Sequence, residues 1–289
     1  MNYPNFVNFG SKDFIKVTAV GFLILFIGVV SFAQQYKGEP VKKERLIKAL
    51  RSKQLQTRDI IAIIKSNGVN VALTPETRKT LINAGARPEV IEAADENLRL
   101  PSEGDNFASK NGKTSADYDD LVEQAIYVFK DKNNPKDAVK FLETAIKIRP
   151  NESAAYQMLG YINLYGLKNL PQAKKYMVES VKRGGSAVFR VFHDDGNDFE
   201  KRCTGSLYVS PENIRYESDN NIHTFETSTV SVSKVKLDRE SSKVWKNYPI
   251  FKVYLKIGEA ETKFRFAPVT GNEVESKIAA QLILEAKIS

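Results

Sequence analysis

Residues 120–150, DLVEQAIYVFKDKNNPKDAVKFLETAIKIRP, are echoed by the residues that follow them. Moved along by 35 positions, small and apolar residues land on small and apolar residues: Leu121 on Tyr156, Ala125 on Gly160, Ala138 on Ala173, Phe141 on Tyr176, Leu142 on Met177, Ala145 on Ser180, Ile146 on Val181. Two amphipathic stretches and a turn in each period specify a helix-turn-helix repeat in two copies, spanning 117–185. The small pairs Ala125/Gly160 and Ala138/Ala173 let the two helices of a copy approach closely, while the larger pairs fill the layer between copies.

This pattern resembles the tetratricopeptide repeats. Pro150 after IKIR stands where that family closes a copy, and Asn133-Asn134-Pro135 and Asn169-Leu170-Pro171 occupy the turns between helices. The turn is one residue longer than in the family's 34-residue unit, and copy two closes on Gly184-Gly185 instead of proline. The resemblance covers roughly a quarter of the chain. It implies stacked hairpins whose ligand contacts come from the concave face of the first helix in each copy. By register that face carries Val122, Ile126 and Phe129, then Gln157, Tyr161 and Leu164. Most are apolar, so packing against neighbouring helices or the next domain is the other reading of the same positions. A peptide or neighbouring subunit docking there would bury Tyr161.

The chain has 289 residues, enough for two or three units, with an apolar and charged content that excludes wholesale disorder. Its net charge of +8 is uneven: residues 186–289 hold 15 basic and 15 acidic side chains, so the excess lies in the first half. Lys and Arg solvating helix faces account for that excess, and no nucleic acid partner is expected. The single cysteine, Cys203, excludes an internal disulfide.

The first 33 residues have the anatomy of an export signal: Lys12 and Lys16, the apolar run VTAVGFLILFIGVV, then Ser31-Phe32-Ala33 ahead of Gln34-Gln35. Cleavage after Ala33 is expected, with retention of Val17 to Ala33 as an N-terminal anchor the alternative. Either outcome puts the remainder outside the cytoplasm, in the periplasm or beyond the cell.

Residues 36–99 read as a small domain of four short helices. The first carries Leu46, Ile47, Leu50 and Leu55 on one stripe. Thr57 is the expected cap of the second, which stops at Gly68, and Thr74-Pro75-Glu76-Thr77 opens the third, which closes at Gly85. Its pattern is similar to helical modules that precede tetratricopeptide repeats in bacterial envelope proteins. Residues 100–116 form a linker by composition. Gly112-Lys113-Thr114 within it lacks the earlier glycine of a phosphate loop, since Phe107 stands there.

After Gly185 the hydrophobic period changes to strict alternation. AVFRVFH, CTGSLYVS, NIRYES, HTFETS, TVSVSKVKL, YPIFKVYLKI and ETKFRFAP read as seven strands, and NEVESKIAAQLILEA as a closing helix bearing Val274, Ile278, Leu282 and Leu284. Seven antiparallel strands and one helix make a barrel or paired sheet that the helix can plug. That order, with GSLYVSPENIRYES, is similar to the pleckstrin-homology superfold and its GRAM-like branch. The expected architecture is therefore multidomain, α then α+β: a small helical domain, two tetratricopeptide-like hairpins, and over 186–289 a seven-stranded pleckstrin-like β-barrel with a capping helix.

No catalytic constellation, metal set or cofactor loop emerges. His193 and His223 lack partners at ligand spacing, and Asp194 to Asp198 fit a hairpin turn better than a calcium loop. Catalytic, metal and cofactor residues are thus expected to be absent. The reading is a non-enzymatic exported scaffold that binds a protein or peptide. The alternative is lipid or small-ligand binding by the barrel, where Lys234, Lys236 and Lys243 are the only modest basic group and anionic lipid is the weaker partner.

Overall fold

The computed structural model describes residues 36–101, 115–194, 203–238, 249–257 and 259–288. The export segment with Ala33, most of the 100–116 linker including Gly112-Lys113-Thr114, Asp195 to Asp198, and Lys243 lie outside the described residues.

Four helices open the described chain: α1 (Lys43–Ser52), α2 (Thr57–Asn67), α3 (Pro75–Asn83) and α4 (Pro88–Glu96). Lys53 adopts a left-handed φ of 54° and stops α1 at Ser52. Leu46 and Leu50 are buried as expected, but Leu55 falls beyond the helix and is exposed. Gln56, not Thr57, precedes α2, and its backbone N–H donates to the Asp59 carboxylate at 3.2 Å. Thr74 caps α3 as expected, its hydroxyl accepting from the Thr77 N–H at 3.2 Å. Two short strands, β1 (Val41–Lys42) and β2 (Val69–Asn70), pair in parallel, and Leu98 bridges Val69 in the same sense. Each helix pair therefore starts and ends on one ribbon.

The repeat folds as two consecutive helix hairpins. The first is α5 (Ser115–Lys130) with α6 (Pro135–Ile148); the second is α7 (Ser153–Tyr161), continued by a π-helical turn over Ile162–Gly166, with α8 (Leu170–Lys182). Their turns match bond for bond at the 35-residue offset. Asn133 and Lys168 both take left-handed φ values, 49° and 56°. The Asn134 and Asn169 side chains accept from the N–H of Asp137 and Gln172 at 3.2 and 3.3 Å. Backbone N–H groups of Asn134 and Asn169 donate to the carbonyls of Val128 and Asn163. Ala125, Gly160, Ala138 and Ala173 are all buried where helices touch. A Cβ placed on Gly160 would lie 2.7 Å from Met177 Cγ, so this contact tolerates only glycine without repacking.

The hairpins are clamped to the N-terminal helices. The Asp95 carboxylate receives the Tyr127 hydroxyl, Lys132 Nζ at 2.7 Å and Arg78 Nη2 at 3.4 Å. Burial would raise this carboxyl, but Lys132, Tyr127 and Arg78 outweigh it and hold Asp95 below the usual range. Between hairpins, the Ala155 N–H donates to the Tyr118 hydroxyl at 3.0 Å.

Seven strands follow: β3 (Ala187–Asp194), β4 (Cys203–Val209), β5 (Asn213–Ser218), β6 (Thr224–Ser228), β7 (Val232–Asp238), β8 (Ile250–Ile257) and β9 (Ala260–Pro268). They form one antiparallel sheet ordered β6-β5-β4-β3-β9-β8-β7. The expected barrel is not closed, because among the described residues no ladder joins β6 to β7. The inward row of β6 is only Phe225 and Thr227, both partly exposed, and the strand meets β7 only through a 3-10 turn at Thr229–Ser231. On β4, Gly205 lets the neighbouring strand come close: a Cβ there would meet the Glu217 carbonyl at 2.3 Å.

The closing helix α9 (Glu273–Ile288) packs on the sheet's inner face through Ile278, Ala279, Leu282, Ile283 and Ala286. Val274 and Leu284, expected on that stripe, point to solvent. One core runs from Val41 to Ile162; the other joins Leu164, Ala173, Met177 and Val181 of the second hairpin to the sheet and α9. Tyr36–Ser289 accordingly forms one compact unit.

Gly160→Val is expected to cost about 1–3 kcal/mol, the range for overpacking a tight contact. A lower urea midpoint with an unchanged slope is the expected result.

Candidate functional site

The residues read as a docking face fall into two groups. Val122, Ile126 and Gln157 stay half-exposed on α5 and α7. Leu164 is only 3% exposed and belongs to the core shared with the sheet, so it offers no surface. Tyr161 is held between rings, 6.1 Å edge-on from Phe129 and 4.7 Å from Tyr165.

Tyr165 sits in the π-helical turn, and that extra-wide turn directs its hydroxyl into the seam between hairpin and sheet. The hydroxyl accepts the Arg190 N–H of β3 at 2.7 Å and donates to Glu275 Oε1 of α9 at 2.6 Å. Thr270 donates to the other carboxylate oxygen. Burial pushes Glu275 above the usual carboxyl range, against the opposing pull of Thr270, Tyr165 and Lys168. Burial and then the charge of Glu275 push the Tyr165 phenol far up, so it remains a donor. On the outer side of β3 the Arg190 guanidinium grips Asp219 with two bonds, at 2.8 and 2.5 Å, and reaches Ser206 Oγ at 2.9 Å. That hydrogen-bonded pairing holds Asp219 below the ordinary aspartate value. These groups hold helices to sheet.

A second cluster was not visible in the chain order. Cys203 Sγ lies 3.8 Å from His193 Nδ1, 3.4 Å from His223 Nδ1 and 3.1 Å from the Tyr216 hydroxyl. Ladder register sets His193 opposite Cys203, and the turn after β5 returns His223 to the same spot. The available signal was the ten-residue separation of His193 and Cys203 across a hairpin, but His223 needs the β5–β6 turn to join them. The imidazole of His193 is boxed by Tyr216, Phe225, Phe264 and Phe266 at ring separations of 4.8 to 6.2 Å. Among the described residues no group of three His, Cys, Asp or Glu is arranged to hold a metal ion. Two grooves lie elsewhere: one of about 570 Å³ lined by Arg78, Ile82, Ala86, Pro88, Ile91, Glu92 and Asp95, and one of about 490 Å³ lined by Val178, Val181, Lys182, Pro211, Leu282, Glu285 and Ala286.

No family model matches the chain. No curated protein matches it. Among solved structures it is similar to an N-terminally truncated linker-DH/PH fragment of p115-RhoGEF, at 12% identity and a TM-score of 0.32, covering 85% of this chain and 70% of that one. The DH/PH domains of the same protein give 10% identity and a TM-score of 0.30, covering 86% and 68%. At such scores the likeness carries no argument about function, and the layout stands as described: helices, then an open seven-stranded antiparallel sheet with a C-terminal helix.

A buried carboxyl with a raised folded pKa contributes stability below the unfolded value, about 4.3, and loses it as pH rises through the folded value. Glu275→Gln, which keeps the Tyr165 bond, is therefore expected to match wild type near pH 4 and exceed it in thermal stability at pH 8. Tyr165→Phe strands the Arg190 N–H and one Glu275 oxygen and is expected to cost about 1–3 kcal/mol, measured by chemical denaturation.

Proposed function

We propose that this chain is a non-enzymatic exported binding protein that holds a protein or peptide partner in the cell envelope, with tetratricopeptide-like hairpins and a pleckstrin-like sheet as its working surfaces. The single observation carrying this reading is the row Val122, Ile126 and Gln157, which stays half-exposed on the first helices of two hairpins whose ends are already covered. Short helical stacks need capped ends, and here the N-terminal helices and the sheet do that capping. A partly exposed row of two apolar side chains and one amide on a stack so enclosed suits an extended or helical segment.

Finer likenesses support the two family resemblances. The bond-for-bond match of the two turns supports the tetratricopeptide relation. Four strands in meander, then three whose last returns beside the first, with a helix over the inner face, support the pleckstrin relation. The export reading rests on the sequence before Gln34.

A photo-crosslinking residue at Ile126 or Gln157, compared in envelope fractions with one at exposed Ala62, is expected to capture one defined protein only at the first two positions. Identical capture at all three, or none, sinks the proposal. Mass spectrometry of the mature chain is expected to find Gln34 at the N-terminus; an intact Met1 would mean retention as an anchor.

A further inference from the structure

Positive charge in the helical half is not spread evenly: residues 42–58 hold seven basic side chains and one acidic, three quarters of the chain's net charge of +8. That stretch is α1 with the turns at its two ends. Leu46 and Leu50 bury one side of α1, and Arg45, Lys48 and Arg51, three residues apart, follow one another along the opposite, exposed side. Lys53, also exposed, continues the series where its left-handed φ stops the helix. Cations on the hairpin helices are met by acids of a neighbouring turn: Lys140 by Asp137, Arg149 by Glu152, and Lys182 and Arg183 by Glu179. Near α1, Glu44 stands one turn before Lys48, and Asp59 goes to Arg58 at 3.6 Å. Among the described residues no ion pair forms on Arg45, Lys48, Arg51 or Lys53.

Like charges three residues apart on a helix repel. The negative end of α1 favours Arg51 and Lys53, but Arg45 lies in the first turn, where the helix field opposes a cation. Two other features belong to the same part of the chain. The turn after α1 presents Leu55, 40% exposed, between Lys53 and Arg58 in sequence. The apolar run from Val17 to Ala33 enters the domain at the end where α1 begins: the Lys37 N–H donates to the Ser66 carbonyl at 2.9 Å, Arg99 lies over the Tyr36 ring at 5.6 Å, and Val41 pairs with Val69 just before the helix. Only Gln34 and Gln35 separate Ala33 from Tyr36, a span of at most about 11 Å.

We infer that the outer side of α1, together with Leu55, is a contact surface for an anionic phospholipid bilayer. The inference goes beyond the protein-docking reading and shares only the N-terminal run with it. Cations meet the headgroup phosphates, and an aliphatic side chain enters between them, as on helices that lie at a membrane surface. While the run lies in a bilayer, the two-residue tether keeps the entry end of the domain beside that surface, at about the 8–10 Å over which such charges act. An acidic protein segment would answer the charge, but it gives no use to exposed Leu55 or to the place where the run enters.

The test uses the mature full-length chain, phosphatidylcholine vesicles with and without phosphatidylglycerol and, separately, fluorescent poly-L-glutamate. Wild type is expected to sediment only with the phosphatidylglycerol vesicles. Arg45→Gln/Lys48→Gln, two exposed positions changed to a good helix former, is expected to melt with wild type and to bind those vesicles about tenfold more weakly at low salt. Lys136→Gln/Lys175→Gln, the same charge loss on exposed positions of α6 and α8, is expected to bind within about twofold of wild type. Leu55→Gln is expected to weaken binding without changing its salt dependence. No wild-type binding to phosphatidylglycerol vesicles, equal binding by the α1 variant, an equal loss in the α6/α8 variant, or binding to poly-L-glutamate as tight as to vesicles and indifferent to Leu55→Gln overturns the inference. Crosslinking at Ile126 reads a different face: its failure beside vesicle binding removes the hairpin reading and leaves this surface standing.

Discussion

A carboxyl group taken out of water must be given partners, and Glu275, 1% exposed, finds them on elements far apart in the chain. Its oxygens take the hydroxyls of Tyr165 and Thr270, and Tyr165 in turn accepts the backbone N–H of Arg190. One hydrogen-bonded chain thereby joins the π-helical turn, the first strand of the sheet and the closing helix. No member can shift without stranding another. The seam is polar at its centre and apolar around it, with Leu164, Met177 and Val181 continuing into the sheet's core.

That seam decides which surfaces remain for partners. A stack of two hairpins has two ends, each with an apolar layer needing cover. The N-terminal helices supply one cover through Asp95, which binds Tyr127 and Lys132; the sheet supplies the other and absorbs Leu164. What stays open lies along the stack's side, on Val122, Ile126 and Gln157.

The sheet obeys a different economy. Its inner face is spent on α9 and the second hairpin, so only the outer face and the edges meet solvent. On that face, antiparallel register brings cations of β7, β8 and β9 into rows, with Lys234 paired to Glu261, while Arg190 of β3 pairs with Asp219 and Arg215 of β5 with Glu217.

Local periodicity was enough to find the helices and the seven strands of the sheet, but not the β1–β2 pair or the π-helical turn. The 35-residue offset marks both hairpins down to their turn asparagines, alternation marks seven strands, and Gly68, Thr74 and Gly85 mark helix ends, because each signal is written within a few residues of the structure it makes. Leu55, Val274 and Leu284 escaped that reading: a left-handed Lys53 cut α1 short, and the inward face of α9 follows the sheet it meets rather than the most hydrophobic stripe. Open or closed sheet, the meeting of Cys203 with two histidines, the loss of Leu164 to the core and the cation rows were decided only by tertiary structure. They depend on which residues lie opposite one another across strands and seams, and such distances are set by long-range register and packing that no local window contains.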